Sequence, residues 1–280
     1  MWKGIDVSDN QGVIDWAQVA QKVDFAVLRS VRRSGKTDHQ FAANLEGCRK
    51  YNIPMSVYKY TYATTPEAAR QEAQQVVALL QSHGMTGTMV WWDVEDKEVL
   101  RPLGAAKLTE CIRVAQEIIT AAGYGFGLYV GLCVYKEHWF DFDAFAGVRL
   151  WVARYYKGHH TMQFADEPNQ SYKPSVDRWL TAWQYTSCGE IAGVKGDVDL
   201  DIAYEDPTLW SQPAVEPGVI YTVSVADVWT REQAEAIRQQ LVPLGVCGVV
   251  HRVKMLEQYA ADNKCLIQCH VRGFDTEYKK

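Results

Sequence analysis

Two acidic residues, Asp93 and Glu95, close an apolar run that reads TMVWWDVE over residues 88–95. Alternate residues of a strand share a face, so the two carboxyl groups are expected to project together, with Cβ atoms about 7 Å apart. Like charges this close, beside Trp91 and Trp92, raise one of the two pKa values. A protonated carboxyl next to an ionised one can act as a general acid, which is the arrangement used to hydrolyse glycosidic bonds.

Two further acid-bearing segments strengthen this interpretation. The segment KGIDVS predicts a short apolar strand that contains Asp6. The segment GDVDLD contains three acids on one strand face, Asp197, Asp199 and Asp201. Acids from several strand ends meet in one cleft when parallel strands close into a barrel. The alternative is an ordinary solvated strand end, since Asp-x-Glu alone is a weak pattern.

Strand and helix patterns alternate along the first 200 residues or so. Eight short apolar runs predict strands over 3–7, 24–30, 54–60, 88–94, 125–131, 149–153, 181–186 and 197–201. Helical periodicity fills the early gaps, over 14–22, 39–51, 66–83 and 106–122. The later gaps lack long helices, so we expect an irregular barrel of eight strands rather than eight full βα units.

Seven segments follow one another in a specific order between residue 3 and about residue 206: GIDVSDNQGVIDW, PMSVYKYTYA, WWDVED, LYVG, LWVARY, AWQYTS and GDVDLD. In this order and spacing the chain resembles the glycoside hydrolase family 25 lysozymes, the N-acetylmuramidases of phage endolysins and bacterial autolysins. The resemblance implies an α/β fold, an irregular (β/α)5(β)3 TIM-like barrel over residues 1–206. It also maps the acid-rich motifs of that family onto Asp6, Asp93, Glu95 and Asp199.

The resemblance implies a hydrolase that cleaves the β-1,4 bond between N-acetylmuramic acid and N-acetylglucosamine in bacterial peptidoglycan. Glu95 is then expected to protonate the glycosidic oxygen while Asp93 stays ionised. Asp6 and Asp199 would position the reacting groups. The attacking nucleophile stays open, although the resemblance favours the 2-acetamido group of the substrate, oriented by Asp93, with net retention.

Aromatic residues near the predicted strand ends occupy positions that line the sugar groove in that family. Flat rings stack on sugar faces, so we expect sugar contacts from Tyr58, Tyr129, Trp151 and Trp183. Gln184 is expected to hydrogen-bond a sugar or a catalytic carboxylate. Core packing competes with the groove role, and a core or rim position is at least as good an interpretation for Tyr60, Tyr62, Tyr155 and Tyr185.

Composition restricts the partners. The 280 residues are 48% hydrophobic and 22% charged, and the net charge of −5 argues against binding to nucleic acid or to anionic membranes. The seven cysteines show no C-x-x-C spacing, and the three aspartates at 197–201 lack the glycine and the glutamate of a calcium loop. We therefore expect free thiols, no metal and no cofactor.

The first residues, MWKGIDVS, lack the basic, apolar and small-residue regions of a secretory signal. No run of 18 apolar residues is present either. We expect synthesis in a host cytoplasm and action on the cell wall. The family resemblance suggests release through a holin if a phage encodes the protein.

A linker is predicted over residues 207–218, where three prolines occur. Residues 219–280 then predict a small α/β module with strands over 219–225, 246–253 and 265–271. This module resembles a SPOR-type peptidoglycan-binding domain. A module that drives homo-oligomerisation is an equally good interpretation.

Other classes of protein fit the sequence less well. A non-catalytic peptidoglycan-binding protein could keep the barrel, but the intact acids count against it. A chitinase-like barrel would carry further acids ahead of the glutamate, where Thr88 and Trp91 stand. A wall amidase or peptidase would need a zinc ligand set or a Cys/His pair, and no such spacing stands out.

Overall fold

The chain divides into two compact units, Met1–Ala214 and Val215–Lys280. A computed structural model describes residues 1–156 and 160–211 in full, and the backbone of residues 246–251 and 266–271. The first unit contains all of the predicted acids, so its architecture decides whether they can meet.

The first unit is a closed barrel of eight strands with one short addition. Its strands are β1 (Trp2–Val7), β2 (Phe25–Arg29), β3 (Met55–Tyr60), β4 (Met89–Asp93), β5 (Gly125–Gly131), β6 (Arg149–Ala153), β7 (Met162–Gln163), β8 (Ala182–Glu190) and β9 (Val198–Ala203). The barrel runs from β1 to β6 in chain order, passes to β8 and β9, and closes onto β1. β9 is antiparallel to both of its neighbours, whereas the other barrel pairs are parallel. β7 only extends the far end of β8.

Helices follow only the first five strands. They are α1 (Trp16–Val19), α2 (Phe41–Lys50), α3 (Pro66–Ser82), α4 (Ala105–Ala121) and α5 (Leu132–Lys136). Within the described residues no α-helix lies between β6 and β9. The predicted (β/α)5(β)3 barrel is therefore confirmed.

The strands are buried on both faces, as barrel strands with helices outside must be. In β4, Trp91 and Asp93 face the barrel interior, while Val90 and Trp92 pack toward the helices. Gly127 of the neighbouring strand makes room for the inner tryptophan, because a Cβ there would lie 2.5 Å from the Trp91 ring. The interior is thus filled by large rings up to the level of the acids.

Trp210 closes the barrel at the end opposite the acids. The short 3-10 turn Pro207–Leu209 carries its ring to 5.0 Å from the Phe25 ring and 5.1 Å from a ring of Trp91. The side chain is 2% exposed. Residues 207–211, the described part of the predicted linker, therefore pack on the barrel.

In the second unit the structure describes two strands, β10 (Val246–His251) and β11 (Leu266–Val271). They pair antiparallel, with Val246 opposite Val271. The predicted strand at 219–225 and the predicted helices of this module lie outside the described residues. Among the described helices, none combines the length and the apolar character that crossing a bilayer requires.

Candidate active site

Carboxyl groups from three strands meet at one mouth of the barrel. Asp6 lies near the end of β1, Asp93 ends β4, and Glu95 follows two residues later. Asp199 is the second residue of β9 and is the register partner of Asp6. Because β9 is antiparallel, its first residues reach this mouth, not its last. The four predicted acids are thus brought together. Burial raises the pKa values of Asp6, Asp93 and Asp199, and the charges of neighbouring acids in this set raise them further.

A buried hydrogen-bond chain joins β1, β5 and β8 below the acids. Gln184 donates from Nε2 to Asp6 Oδ2 at 2.7 Å, and its Oε1 accepts from the Tyr129 hydroxyl at 2.8 Å. An amide has distinct donor and acceptor ends, so the two bonds together fix the orientation of Gln184. Gln184 therefore holds a carboxyl group of the site.

Glu95 is half-buried at the mouth, and its environment suits an acid that works near neutral pH. Burial raises the pKa of Glu95 to about 7, the charge of Asp96 adds to this effect, and a hydrogen bond with Tyr129 opposes it. The sequence predicts this rise from the neighbouring Asp93 and Trp91, whereas burial is its largest cause. A carboxyl with this pKa can both hold and release a proton near pH 7.

Asp93 is almost completely buried, and burial works against the sequence expectation that its carboxyl stays ionised. Burial raises the pKa of Asp93 well above its ordinary value, and the charges of Glu95 and Asp6 raise it further against the opposing charge of Lys59. Within the described residues, Asp93 Oδ1 has no hydrogen-bond partner. This oxygen is enclosed, so a ligand group can reach it only when neighbouring side chains move.

Asp201 is a second buried acid, which the sequence argument placed on this face but did not select. Its Oδ1 accepts the indole N–H of Trp151 at 3.0 Å. In the described part of the chain, the only group that could donate a hydrogen bond to its Oδ2 is the carboxyl of the neighbouring Asp6. Asp6 can donate only when it is protonated. Two carboxyl groups in contact and away from water share a proton. We interpret Asp6 and Asp201 as a proton-sharing pair below the mouth.

The amino-acid sequence matches a known family over most of this barrel. Residues 5–194 match the family model described as glycosyl hydrolases family 25. The chain belongs to this family. The matched segment includes Asp6, Asp93 and Glu95 but ends before β9, so the place of Asp199 in the family 25 site rests on its register with Asp6.

Relatives of known type are autolysins and endolysins. The autolytic lysozyme of Clostridium acetobutylicum is 20% identical over 217 residues, which cover 77% of this chain and 60% of the relative. The modular autolysin LytC from Streptococcus pneumoniae is 27% identical with a TM-score of 0.58, covering 72% of this chain and 46% of that chain. The catalytic domain of endolysin ply40 from bacteriophage P40 of Listeria monocytogenes is 25% identical with a TM-score of 0.60, covering 74% and 95%. The chain thus spans less than two thirds of the first two relatives.

Three of the four aromatic residues predicted for the groove lie on the inner face of the family 25 barrel. Tyr58 lies beside Asp6, whose charge adds to burial in raising the pKa of the phenol. Tyr129 holds Gln184, and its ring packs edge-on against Trp151 at 4.5 Å between centroids. Trp151 is fully enclosed, so it supports the site from below rather than touching a sugar.

The predicted groove position of Trp183 is wrong. Ala182 and Gln184 of β8 face the interior, so Trp183 between them faces the helices. There its side chain is 0% exposed, and its indole N–H donates to the Arg154 carbonyl at 2.7 Å.

Sequence reasoning missed Arg29, the last residue of β2. Its guanidinium forms ion pairs with Asp9 and Asp38, at 2.6 Å from Nε to Oδ2 for Asp38. The charged end of an apolar strand was the available signal, and it is the same signal that identified Asp93. Asp9 and Asp38, the acids of the neighbouring loops, are therefore engaged in ion pairs with Arg29.

The cysteine and metal expectations remain expectations. Cys48 and Cys111 are buried, Cys188 is half-buried and Cys133 is exposed. The side chains of the remaining three cysteines, at 247, 265 and 269, lie outside the described residues. In the described ranges, no group of three or more His, Cys, Asp or Glu side chains is arranged to hold a metal ion.

We expect Asp201→Asn to make the protein less sensitive to rising pH. Asparagine keeps the acceptor for Trp151 and offers an N–H to Asp6. Burial raises the pKa of Asp201, so its contribution to stability is present in acid and is lost as the pH rises through the raised value. Urea unfolding at about pH 5 and about pH 8 measures this loss, which should be smaller in the variant. The control is Asp197→Asn, at an exposed site just before β9; equal pH dependence of both variants would contradict the proton-sharing pair.

Proposed function

We propose that this family 25 protein is a muramidase, which cleaves the β-1,4 bond between N-acetylmuramic acid and N-acetylglucosamine in bacterial peptidoglycan. The observation that carries the proposal is Glu95, an acid with a pKa of about 7 beside the buried Asp93 at the barrel mouth. A comparison supports the substrate class. The autolysin LytC from Streptococcus pneumoniae, 25% identical with 72% of this chain covered, has a structure in complex with a synthetic peptidoglycan ligand.

In the first chemical step, Glu95 donates its proton to the glycosidic oxygen as the bond from that oxygen to C1 of the muramoyl residue breaks. The oxygen of the 2-acetamido group of the same residue attacks C1. Asp93 accepts the amide N–H through Oδ1, which has no other partner in the described residues. This assignment suits a buried carboxyl whose pKa is raised, because such a group is a poor anionic nucleophile.

In the second step, Glu95 is ionised and takes a proton from water as the water oxygen attacks C1. The bond between C1 and the acetamido oxygen then breaks, so the configuration at C1 is retained. Asp6 and Asp199 lie beside Asp93 and position the reacting groups. Tyr129 and Gln184 hold Asp6 in place for this role.

We expect activity to fall as the pH rises through about 7. Glu95 must be protonated to act as the acid, and burial raises its pKa to about 7. Measurement of kcat/KM between about pH 4 and about pH 9 reports this group in the free enzyme. A rate that stays constant up to pH 9 would contradict the role of Glu95 as the acid.

The test of the proposed function is the chemistry of the new chain ends. Purified peptidoglycan is treated with the protein, new reducing ends are labelled with borohydride, and the soluble fragments are identified by mass spectrometry. Ends that are N-acetylmuramic acid support a muramidase. Ends that are N-acetylglucosamine indicate a different glycosidase, and release of peptides alone indicates an amidase or a peptidase.

We further propose that residues 1–206 form the catalytic domain together with residues 207–211, which pack on the barrel, that the rest of the predicted linker over 207–218 joins the two units, and that residues 219–280 form a module that binds the cell wall or joins subunits. The division of the chain into two compact units supports a separate module. With this arrangement the protein acts at the cell wall, and its partner is the peptidoglycan glycan strand.

A further inference from the structure

The turn that follows β2 carries a concentration of positive charge in an acidic chain. Residues 31–37 form a tight hairpin, closed by a bridge between Val31 and Thr37 and by a 2.8 Å bond from the Arg32 amide to the Lys36 carbonyl. Arg33 completes a set of three cations in this hairpin, whereas the whole chain has a net charge of −5.

Among the residues that the structure describes, the three cations of the hairpin have no carboxylate partner. None of them takes part in an ion pair within the described residues. Asp38, the acid closest along the chain, is already paired with Arg29. The side chains of Arg33 and Lys36 are exposed, so their charges are available to a ligand.

Arg33 differs from the other two cations because its guanidinium is held in place. It lies over the Tyr62 ring, 4.4 Å from the centroid. Tyr62 in turn stacks on Tyr60, with 4.7 Å between centroids and 27° between planes. A guanidinium held on a ring face keeps the N–H groups at its edge available for two parallel bonds to a carboxylate.

Arg33, Tyr62 and Tyr60 form a row, which we call the Arg33 strip, that leads from the acids to the rim of the barrel. Tyr60 ends β3 and is the register partner of Asp93. The charges of Glu95 and Asp93 add to burial in raising the pKa of Tyr60, which places the ring beside the two acids. Tyr60 and Tyr62 are half-buried and Arg33 is exposed, so the strip opens outward.

We propose that the Arg33 strip binds the peptide attached to the muramoyl residue, with Arg33 holding a carboxylate of that peptide and the two tyrosines contacting the atoms between it and the cleaved bond. The inference rests on the proposed function, since only a muramoyl substrate brings a peptide to this place. Two physical arguments support it. Arg33 is an exposed cation held over the Tyr62 ring, so it can pair with a carboxylate that lies outside the buried acids of the mouth. The peptide supplies such carboxylates, whereas N-acetylglucosamine carries no charge.

The experiment uses two synthetic glycan oligomers that differ in one group. Both carry the dipeptide L-alanyl-D-glutamate on the muramoyl residue, with its γ-carboxyl group amidated in both, so that they differ only in the α-carboxylate, which is free in one and converted to an amide in the other. The full-length protein is compared with Arg33→Gln. The matched control is Lys36→Gln, which removes the same charge from the same hairpin but leaves the Arg33 strip intact.

We expect the wild-type protein to have a KM about tenfold lower for the carboxylate substrate than for the amide, as one charge-assisted contact can provide. Arg33→Gln should raise the KM for the carboxylate substrate to that of the amide, with kcat unchanged. Lys36→Gln should keep the preference. Equal effects of the two variants would overturn the proposal in favour of a diffuse positive field, and an Arg33→Gln effect that is the same on both substrates would overturn it in favour of a structural role.

A third substrate separates peptide carboxylates from other anions of the wall. It carries the amidated dipeptide and a phosphodiester on the glycan. Dependence on Arg33 with this substrate alone would overturn the peptide assignment. The proposed function fails separately: binding of the carboxylate substrate that depends on Arg33, without any cleavage, would remove the muramidase activity and keep the binding site.

Discussion

Replacing Glu95 by Gln should reduce glycan cleavage by about a thousandfold while the fold stays intact. Glutamine has the size of glutamate but cannot deliver the proton in the first step or accept one in the second. Burial raises the pKa of Glu95 to about 7, so its ionised form gains little from the folded environment and its loss should not weaken the fold. The initial rate of formation of new reducing ends measures the effect.

The control for this variant is Glu98→Gln, which makes the same chemical change at an exposed position three residues further along the chain. It should leave both the rate and the thermal midpoint unchanged. If Glu95→Gln kept more than about a tenth of the wild-type rate, Glu95 would not be the general acid. The acid would then have to be sought among the other carboxyl groups of the mouth.

The barrel is predictable from sequence because its strands are buried on both faces and stand out as apolar runs between turns. The runs predicted at 125–131 and 149–153 coincide with β5 and β6. Of the four predicted helices the least accurate is the first, predicted over 14–22 and observed as Trp16–Val19, and the short α5 was not predicted. Asp15 accepts a bond from the Ala17 amide and so begins the first helix, which periodicity alone does not reveal.

The convergence of the four acids is predictable for the same reason, since strand ends of a barrel share a mouth. Which side chains of a strand face the interior is harder to predict, because a shift by one residue turns a side chain from the interior toward the helices. Trp183 and Gln184 are adjacent in β8 and cannot both face the groove. Strand alternation, applied more strictly, would have removed one of the two.

The contacts between distant elements are not predictable from this sequence alone. Lys59 lies on the side of β3 that faces the helices and is buried there, with its ammonium 3.3 Å from Glu72 of α3. A lysine in a strand is normally expected to reach solvent, and only the packed helix supplies its partner. Asp201 is similar, because its depth and its contact with Asp6 depend on how β9 closes against β1. Depth of burial also decides that the pKa of Asp93 rises, which the local sequence could not show.

Replacing Trp210 by Ala should destabilise the barrel by about 3–5 kcal/mol, the range typical of a large aromatic side chain removed from a core. The ring is 2% exposed and contacts the rings of Phe25 and Trp91. Trp91 in turn packs on Trp151, whose indole N–H holds Asp201. A cavity at this end therefore loosens the column of rings that supports the acids. Urea unfolding of the full-length protein measures the change.

Two further variants make the Trp210 prediction specific. Trp179→Ala removes the same side chain from a position that is 39% exposed and should change stability by no more than about 0.5 kcal/mol. Trp210→Phe should cost only about 1–2 kcal/mol, because the Trp210 indole N–H has no hydrogen-bond partner among the described residues and only ring area is lost. Equal losses for Trp210→Ala and Trp179→Ala would show that Trp210 is not part of the core. A large loss of stability in Trp210→Ala alone would show that residues 207–211 complete the barrel. A chain shortened before residue 207 would then leave the barrel open at the end opposite its acids.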